Sequence, residues 1–213
     1  AFPPHSKLYY DLGIIKSEGN ITSGDAHCAV DYGKMMHVGL RDYERRAQEK
    51  LDALDLTDYK NIQKSYFYRG ILIVVEAVKA FAQRYAKLAA QMADKEQDGK
   101  RKTELMEMSR ILTKVPYEPA ESFREAVQSL WLVHLILQIE SNGHSLSYGR
   151  MDQYLNPYYE ADLEAGKITE EDACELMCNL WLKTYTINKI RSWSHTQFSA
   201  GSPLYQNVTV AGQ

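Results

Sequence analysis

A long stretch without proline constrains the fold of this chain more than any other feature. From Thr57 to Gln97 there is no proline, and after Gly70 apolar residues recur at three- and four-residue intervals. This is the spacing of one buried face of an α-helix. The residues expected on that face are Ile71, Val74, Val75, Val78, Phe81, Ala82, Tyr85, Leu88, Ala89 and Met92. The pattern therefore predicts one long helix and a mainly helical chain.

Punctuating residues and capping signals predict more helices downstream. A polar turn separates the long helix from a predicted helix over 103–113, which is followed by prolines. The apolar run after the prolines predicts a buried helix over 121–139. Gly166 can close a helix over 151–164, and Thr169 can cap another helix whose first turn is acidic.

The end of the sequence changes character, because residues 208–210 are the β-branched run Val-Thr-Val. Such residues favour a strand, which we predict over 207–211, after a helical region of about 24–190. A single strand leaves backbone groups without partners and is prone to association. We therefore expect this strand to lack a partner within the chain and to be completed by sequence after Gln213.

Composition and charge argue against several classes of partner. The 213 residues are 45% hydrophobic, which is enough for a sizeable core. A net charge of -3, from 25 basic and 28 acidic residues, gives no electrostatic case for binding nucleic acid or an anionic membrane. No apolar run approaches the roughly 20 residues that span a bilayer, and the first residues lack the pattern of a signal peptide. We therefore expect a cytoplasmic protein.

Three cysteines, Cys28, Cys174 and Cys178, are an odd number in a chain too large to need disulfides, which indicates reduced thiols. Cys174 and Cys178 are four residues apart and would share one side of a helix. Because free cysteine is usually buried, we expect both to pack in the core.

Three polar loops, at 17–27, 140–152 and 191–207, interrupt the apolar pattern. Each has an ordinary explanation: a loop leading into a helix, the end of a helix, and a connector between a helix and a strand. Each could also present binding groups, because such groups concentrate on loops beside a rigid scaffold. The residues alone leave both interpretations open.

Particular residues favour a polar pocket built from these loops. In the first loop Ser23 or Asp25 can cap the next helix, but neither explains His27. In the second loop Gly143 permits backbone conformations closed to other residues, so that His144 and the serine after it can point inward. We expect no metal, because no two histidines have a compact ligand spacing such as H-x-x-x-H. The sequence also lacks a glycine-rich phosphate loop, a nucleophile elbow and a dinucleotide fingerprint.

The three loops together resemble those of one enzyme family. The runs "ESNGHSLSYGRMDQYLNPYY", "GIIKSEGNITSGDAH" and "SAGSPLYQNVTVAGQ" closely resemble the glycyl radical enzymes. The subgroup that it most resembles is the pyruvate formate-lyase-like one, which contains the B12-independent glycerol and propanediol dehydratases and the hydroxyproline dehydratase. The resemblance implies a ten-stranded α/β barrel surrounded by helices, with substrate inside. Residues 1–213 would be a partial domain of it: the mainly α, helical N-terminal part, ending in the first barrel strand.

The resemblance also implies radical chemistry on segments that this sequence does not contain. In the family, a cysteine in a Gly-Cys-x-Glu context becomes a thiyl radical, and a glycine in an Arg-Val-x-Gly-Tyr context stores the radical. Neither context occurs in the 213 residues. The implied glycyl radical, installed by a radical-SAM activating enzyme, would lie outside this sequence, with no cofactor bound directly. The chain alone is expected to be inactive.

The resemblance assigns roles to residues of all three loops. Its implied substrate-binding residues are His27, His144, Ser145, Gly201, Ser202, Gln206 and Asn207. Loss of a substrate hydroxyl as water calls for a positioned acid or hydrogen-bond donor, and a histidine that titrates near neutral pH suits that work. Asp25, Arg150 and Asp152 are expected beside the site as structural residues, with Arg150 and Asp152 as an ion pair.

The expected function is therefore part of a glycyl radical dehydratase or lyase that cleaves a C-O or C-C bond of a small hydroxylated substrate. Its expected partners are that substrate, a radical-SAM activating enzyme and further copies of the chain in a homo-oligomer. The sequence does not choose among diols, hydroxyproline or another substrate. The alternative is a stand-alone helical protein that binds a small molecule or serves as a scaffold.

Overall fold

The computed structural model of the chain describes residues 4–14, 28–141, 145–188 and 206–210. The helices in these ranges are α1 (Pro4–Asp11), α2 (Tyr32–Asp52), α3 (Lys60–Lys95), α4 (Gly99–Lys114), α5 (Phe123–Glu140), α6 (Met151–Glu164) and α7 (Glu170–Thr186). The strands are β1 (Cys28–Ala29) and β2 (Leu146–Ser147). The prediction of a mainly α chain is confirmed. Within the described ranges, none of the helices is both long and apolar enough to cross a membrane.

The predicted helices α3 to α7 are all present, close to their expected bounds. Thr169 caps α7 as predicted: its hydroxyl accepts a hydrogen bond from the backbone N–H of Asp172, whose carboxylate accepts from the backbone N–H of Thr169. Gly166 follows α6 in a left-handed conformation, with φ of 64°. Helix α1 was not predicted.

The predicted cap of the helix after the first loop is wrong. That helix, α2, begins at Tyr32, and its cap is Asp31, whose carboxylate accepts a hydrogen bond of 3.1 Å from the backbone N–H of Lys34. The chain just before it forms β1 rather than helix. Neither Ser23 nor Asp25 can therefore cap α2.

Helix α3 packs against both α2 and α4. Alanines at positions 82, 86, 89 and 93 are buried, at intervals of three and four residues. Small side chains let helices approach closely, which leaves larger neighbours outside the contact. The prediction for this face is correct for Val75, Val78, Ala82 and Ala89 but wrong for the exposed Val74, Tyr85, Leu88 and Met92.

A glycine allows α2 to meet a distant loop. Gly39 interrupts the helix with φ of 69° and ψ of 163°, a conformation that favours glycine. A Cβ at this position would lie 2.5 Å from the carbonyl oxygen of Tyr117. Backbone hydrogen bonds join the two segments here, from Leu40 to Pro116, from Arg41 to Tyr117 and from Ala120 to Met36.

Helix α5 is the central helix, and two buried carboxylates fix its N-terminal end. Glu125 accepts hydrogen bonds from Arg110 at 3.1 Å and Lys114 at 2.8 Å. Burial opposes ionisation of Glu125, but the hydrogen bonds from Lys114 and from the Glu121 backbone outweigh it and lower its pKa. Asp162 of α6 accepts a 2.7 Å hydrogen bond from the backbone N–H of Phe123. These contacts attach α5 to α4 and α6.

The prediction that Cys174 and Cys178 pack in the core is wrong, because both are exposed. They do share one side of α7, but the buried side carries Ala173 and Leu180. The cysteines lie on the adjacent stripe with the half-exposed Trp181. The four-residue spacing correctly predicted that the two cysteines lie on one side of the helix, but it does not determine which side of the helix faces the core.

Candidate functional site

Three extended segments from distant parts of the sequence meet at one edge of the helical body. β1 and β2 pair in parallel, with Cys28 opposite Leu146 and Ala29 opposite Ser147. The backbone N–H of Cys28 also donates a 3.0 Å hydrogen bond to the carbonyl oxygen of Ser145. The segment that follows the first polar loop therefore lies directly beside a segment of the second polar loop.

The third segment joins the second through Gly149. Its N–H donates to the carbonyl oxygen of Asn207 at 3.2 Å, and its carbonyl oxygen accepts from the N–H of Thr209 at 2.9 Å. These bonds form a parallel bridge between Gly149 and Val208. The strand predicted over 207–211 is thus a single bridge within residues 206–210, and the expectation that it lacks a partner in this chain is wrong.

The structure describes five of the residues predicted at or beside the site. Ser145 is fully buried and has a φ of 57°, in the left-handed region that serine rarely adopts. Gln206 is partly buried and Asn207 is exposed, and Asn207 donates its N–H to the Ser147 hydroxyl at 3.3 Å. The others, His27, His144, Gly201, Ser202 and Asp25, lie outside the described residues.

The predicted ion pair of Arg150 and Asp152 is observed. The guanidinium donates from Nε to Oδ1 at 3.0 Å and from Nη2 to Oδ2 at 2.9 Å. Hydrogen bonding to Arg150 lowers the pKa of Asp152 to about 2. The pair lies at the start of α6, which begins at Met151. Gly149, two residues earlier, forms the bridge to Val208.

A buried polar network beneath the three segments was not predicted from the sequence. At its centre is His134 of α5, which is fully buried. Its Nδ1 lies 2.7 Å from the hydroxyl of Tyr32, and its Nε2 lies 2.6 Å from Oε1 of Gln206. Gln138, one turn further along α5, places its Nε2 3.3 Å from the same Gln206 oxygen. The network thus links the first and third segments through α5, which leads into the second.

Aromatic rings enclose this histidine. The ring of Tyr148 stacks on His134 with centroids 4.0 Å apart and an interplanar angle of 23°. The Tyr148 hydroxyl lies 2.8 Å from Oγ1 of Thr184. The backbone carbonyl oxygen of Tyr148 accepts a 2.8 Å hydrogen bond from the Tyr154 hydroxyl. The stack fixes the plane of the imidazole, and in that plane both nitrogens are directed at their polar partners.

Burial keeps the network neutral. Desolvation lowers the pKa of His134 from 6.5 to about 4, although the hydrogen bond to Gln206 opposes this shift. Burial also raises the pKa of Tyr32 well above its usual range and that of Tyr148 to about 12. A neutral imidazole with both nitrogens engaged is suited to orienting its neighbours and not to transferring protons at neutral pH.

The sequence contains only a faint signal for this network. His134 is the single ionisable residue in the apolar run "SLWLVHLILQI", and a buried polar group of this kind requires partners. Its partners are 102 and 72 residues away, at Tyr32 and Gln206. No local spacing rule connects residues that far apart. Among the described residues no cluster of three or more histidine, cysteine, aspartate or glutamate side chains could hold a metal ion.

Comparisons with known proteins match the whole chain to part of larger enzymes. A probable dehydratase, YbiW, of Escherichia coli (strain K12) is 45% identical over 213 residues, which are 100% of this chain and 26% of that protein. A structure addressing 1,2-propanediol dehydration in Roseburia inulinivorans superposes with a TM-score of 0.88 and 38% identity, over 97% of this chain and 25% of that one. A glycyl radical enzyme from Archaeoglobus fulgidus gives a TM-score of 0.84 and 34% identity, over 95% and 27%.

The chain therefore spans about a quarter of the length of these relatives. The resemblance to glycyl radical dehydratases is confirmed, as is the assignment of the helices to the N-terminal part of that fold. The family described as pyruvate formate lyase-like matches residues 1–213, and the chain belongs to it.

Proposed function

We propose that this chain forms one side of the substrate pocket of a glycyl radical dehydratase or lyase. The enzyme would cleave a C-O or C-C bond of a small hydroxylated substrate. The observation that supports this most directly is the meeting of three segments: Cys28 lies beside Leu146, and Gly149 beside Val208. Each segment adjoins one of the three polar loops to which the resemblance assigns the substrate-binding residues.

Ser145 is the described residue that best fits a substrate-binding role. It is fully buried, and its left-handed backbone is a conformation that costs about 1 kcal/mol or more for a residue other than glycine. Such conformations concentrate at functional sites, where the surrounding structure maintains them. In this proposal Ser145 binds a substrate hydroxyl together with His27 and His144, and a histidine supplies the proton that a departing hydroxyl needs.

The rest of the catalytic machinery belongs to segments that this sequence does not contain. The glycyl radical would be installed by a radical-SAM activating enzyme, and the complete enzyme would assemble as a homo-oligomer. We place it in the cytoplasm, because the free thiols Cys28, Cys174 and Cys178 suit a reducing compartment. The alternative of a stand-alone helical binding or scaffold protein is not favoured, because the whole chain aligns with one part of a larger enzyme.

The test is to produce the longer polypeptide that contains this chain together with an activating enzyme under anaerobic conditions. Electron paramagnetic resonance would measure the glycyl radical, and product formation would be followed with propane-1,2-diol, glycerol and trans-4-hydroxyproline. We expect turnover of at least one of these and a loss of about 100-fold or more in kcat for His144→Ala.

The matched control is His37→Ala, which removes an exposed histidine from α2 and should leave turnover unchanged. A strong radical signal without turnover of any of the three compounds would overturn the proposed substrate class. Full activity of His144→Ala would overturn the role given to that loop.

A further inference from the structure

The buried network leaves one functional group of Gln206 without a partner in the described part of the chain. Its Oε1 faces His134 at 2.6 Å and Gln138 at 3.3 Å, but its amide nitrogen makes no hydrogen bond to any described residue. Gln206 is only partly buried, so its amide end can reach a ligand. The carbonyl end is fixed, and within the described residues the donor end has no partner.

The short distance between His134 Nε2 and Gln206 Oε1 indicates which ring nitrogen carries the proton. A separation of 2.6 Å between Nε2 and Gln206 Oε1 requires a hydrogen between them, since two lone pairs would repel at that distance. Gln138 Nε2 is 3.1 Å from the same Nε2, which is long enough for it to direct its own hydrogen at Gln206. His134 therefore donates from Nε2, and a neutral ring must accept at Nδ1.

Tyr32 completes this arrangement. Its hydroxyl is 2.7 Å from Nδ1 and donates to it, which keeps the proton of the ring on Nε2. Burial supports the neutral ring, because it lowers the pKa of His134 to about 4. The Tyr148 stack fixes the plane of the imidazole, and the contacts with Tyr32 and Gln206 fix which side each ring nitrogen faces. Reversing the Gln206 carboxamide would put two nitrogens 2.6 Å apart, closer than an N–H donor bond to nitrogen allows.

We propose that His134 is a positioning residue that holds the Gln206 carboxamide with its carbonyl toward the helical core and its amide hydrogens outward, where they donate to a hydroxyl oxygen of the substrate. Tyr32 acts one step further away, by fixing the tautomer of His134. The ligand half of this inference rests on the proposed function. The orientation half rests on the geometry of the network alone.

The orientation is tested on this chain by ¹⁵N NMR of the His134 imidazole at neutral pH. We expect the neutral tautomer with the proton on Nε2. A ring protonated on Nδ1, or on both nitrogens, would overturn the proposal, whatever the activity of the longer enzyme.

The ligand contact is tested on the activated longer polypeptide, with propane-1,2-diol as the probe. His134→Leu removes the donor to Gln206 and should raise KM about tenfold or more, with the glycyl radical signal unchanged. His134→Gln retains an amide donor near Nε2 and should restore most of the affinity. Gln206→Leu should reproduce the His134→Leu effect, and it keeps the contact testable if the core substitution prevents folding. His37→Leu is the matched control and should leave KM unchanged.

Two results would overturn the ligand contact: an unchanged KM in Gln206→Leu, or failure of His134→Gln to restore what His134→Leu loses. If the wild-type polypeptide carries the radical but turns over none of the tested compounds, the proposed function fails. The tautomer measurement would then still decide the role of His134.

Discussion

The hairpin of α3 and α4 and the network around His134 are built in opposite ways. The hairpin joins helices that follow one another in sequence, and Ala82 and Ala86 of α3 pack in one cluster with Met108 and Leu112 of α4. The network joins His134 to Tyr32, which is 102 positions away, and to Gln206, which is 72 positions away, through two short hydrogen bonds. Periodicity encodes the first kind of contact, but nothing local encodes the second.

This difference also governs how each region should respond to change. The alanine contact spreads its energy over many small apolar contacts, so that one position carries little of it. In the network, loss of one group leaves a buried partner unsatisfied, at a cost of about 1 to 3 kcal/mol. We therefore expect single substitutions to have large effects where distant segments meet and small effects on the exposed side of a helix.

The largest effect is expected for Gly39→Ala, at the contact between α2 and residues 116–120. The new methyl group would meet the Tyr117 carbonyl at 2.5 Å, and alanine would be forced to a φ of 69°. Together these effects should lower the free energy of unfolding by roughly 3 to 5 kcal/mol, measured by urea denaturation.

Gly70→Ala is the matched control within α3. A Cβ there meets nothing within 4 Å, and the residue is helical. The same substitution should therefore stabilise the chain by about 1 kcal/mol. Equal destabilisation by both substitutions would contradict the distinction between distant and local contacts.

The next effect is a dependence of stability on pH that arises from His134. Its pKa is lowered from 6.5 to about 4 in the folded chain, so the unfolded chain binds the proton more tightly between these values. The stabilisation is present above pH 6.5 and is lost as the pH falls toward 4. The expected loss is on the order of 3 kcal/mol. The tyrosines facing the ring, Tyr32 and Tyr148, stay neutral throughout, because burial raises both pKa values.

Urea denaturation at several pH values would measure this dependence. His134→Gln should flatten the curve between pH 4 and 6.5. A wild-type curve that is flat over this range would show that His134 is not buried in its neutral form.

A smaller effect is expected for Tyr32→Phe. The substitution keeps the ring but removes the hydroxyl that donates to Nδ1 of His134, which leaves a buried acceptor unsatisfied. The free energy of unfolding should fall by about 1 to 3 kcal/mol. The control Tyr66→Phe, on an exposed part of α3, should change it by no more than about 0.5 kcal/mol. Equal effects of the two substitutions would remove the energetic case for the network.

These contrasts explain how much of the structure the sequence could predict. The Thr169 cap and its acidic partner lie within four residues, so the start of α7 could be recognised directly. The helices were predicted from hydrophobic periodicity. The barrel was inferred from the resemblance to the family and not from the periodicity of the sequence. Which side of a helix is buried depends on its neighbours, so Tyr85 and Leu88 were misplaced.

The candidate site divides in the same way. The ion pair of Arg150 with Asp152 spans two residues and was predicted. The partners of His134 could not be predicted, because folding brings Tyr32 and Gln206 together from distant parts of the sequence. The roles of His27, His144, Gly201 and Ser202 stay predictions, as they lie outside the described residues.

The smallest effect is expected on the exposed stripe of α7, where burial was predicted wrongly. Cys174→Ser and Cys178→Ser exchange a thiol for a hydroxyl of similar size, and both side chains are exposed. Each should change the free energy of unfolding by no more than about 0.5 kcal/mol. Ala173→Ser, one residue away on the buried side, puts a hydroxyl into the core and should cost about 1 to 2 kcal/mol. Roughly 0.5 kcal/mol of the cost of Ala173→Ser is lost helix propensity, which Cys→Ser does not lose, and the remainder of the difference reports burial. A cost for Cys178→Ser equal to that for Ala173→Ser would mean that the cysteine stripe is covered after all.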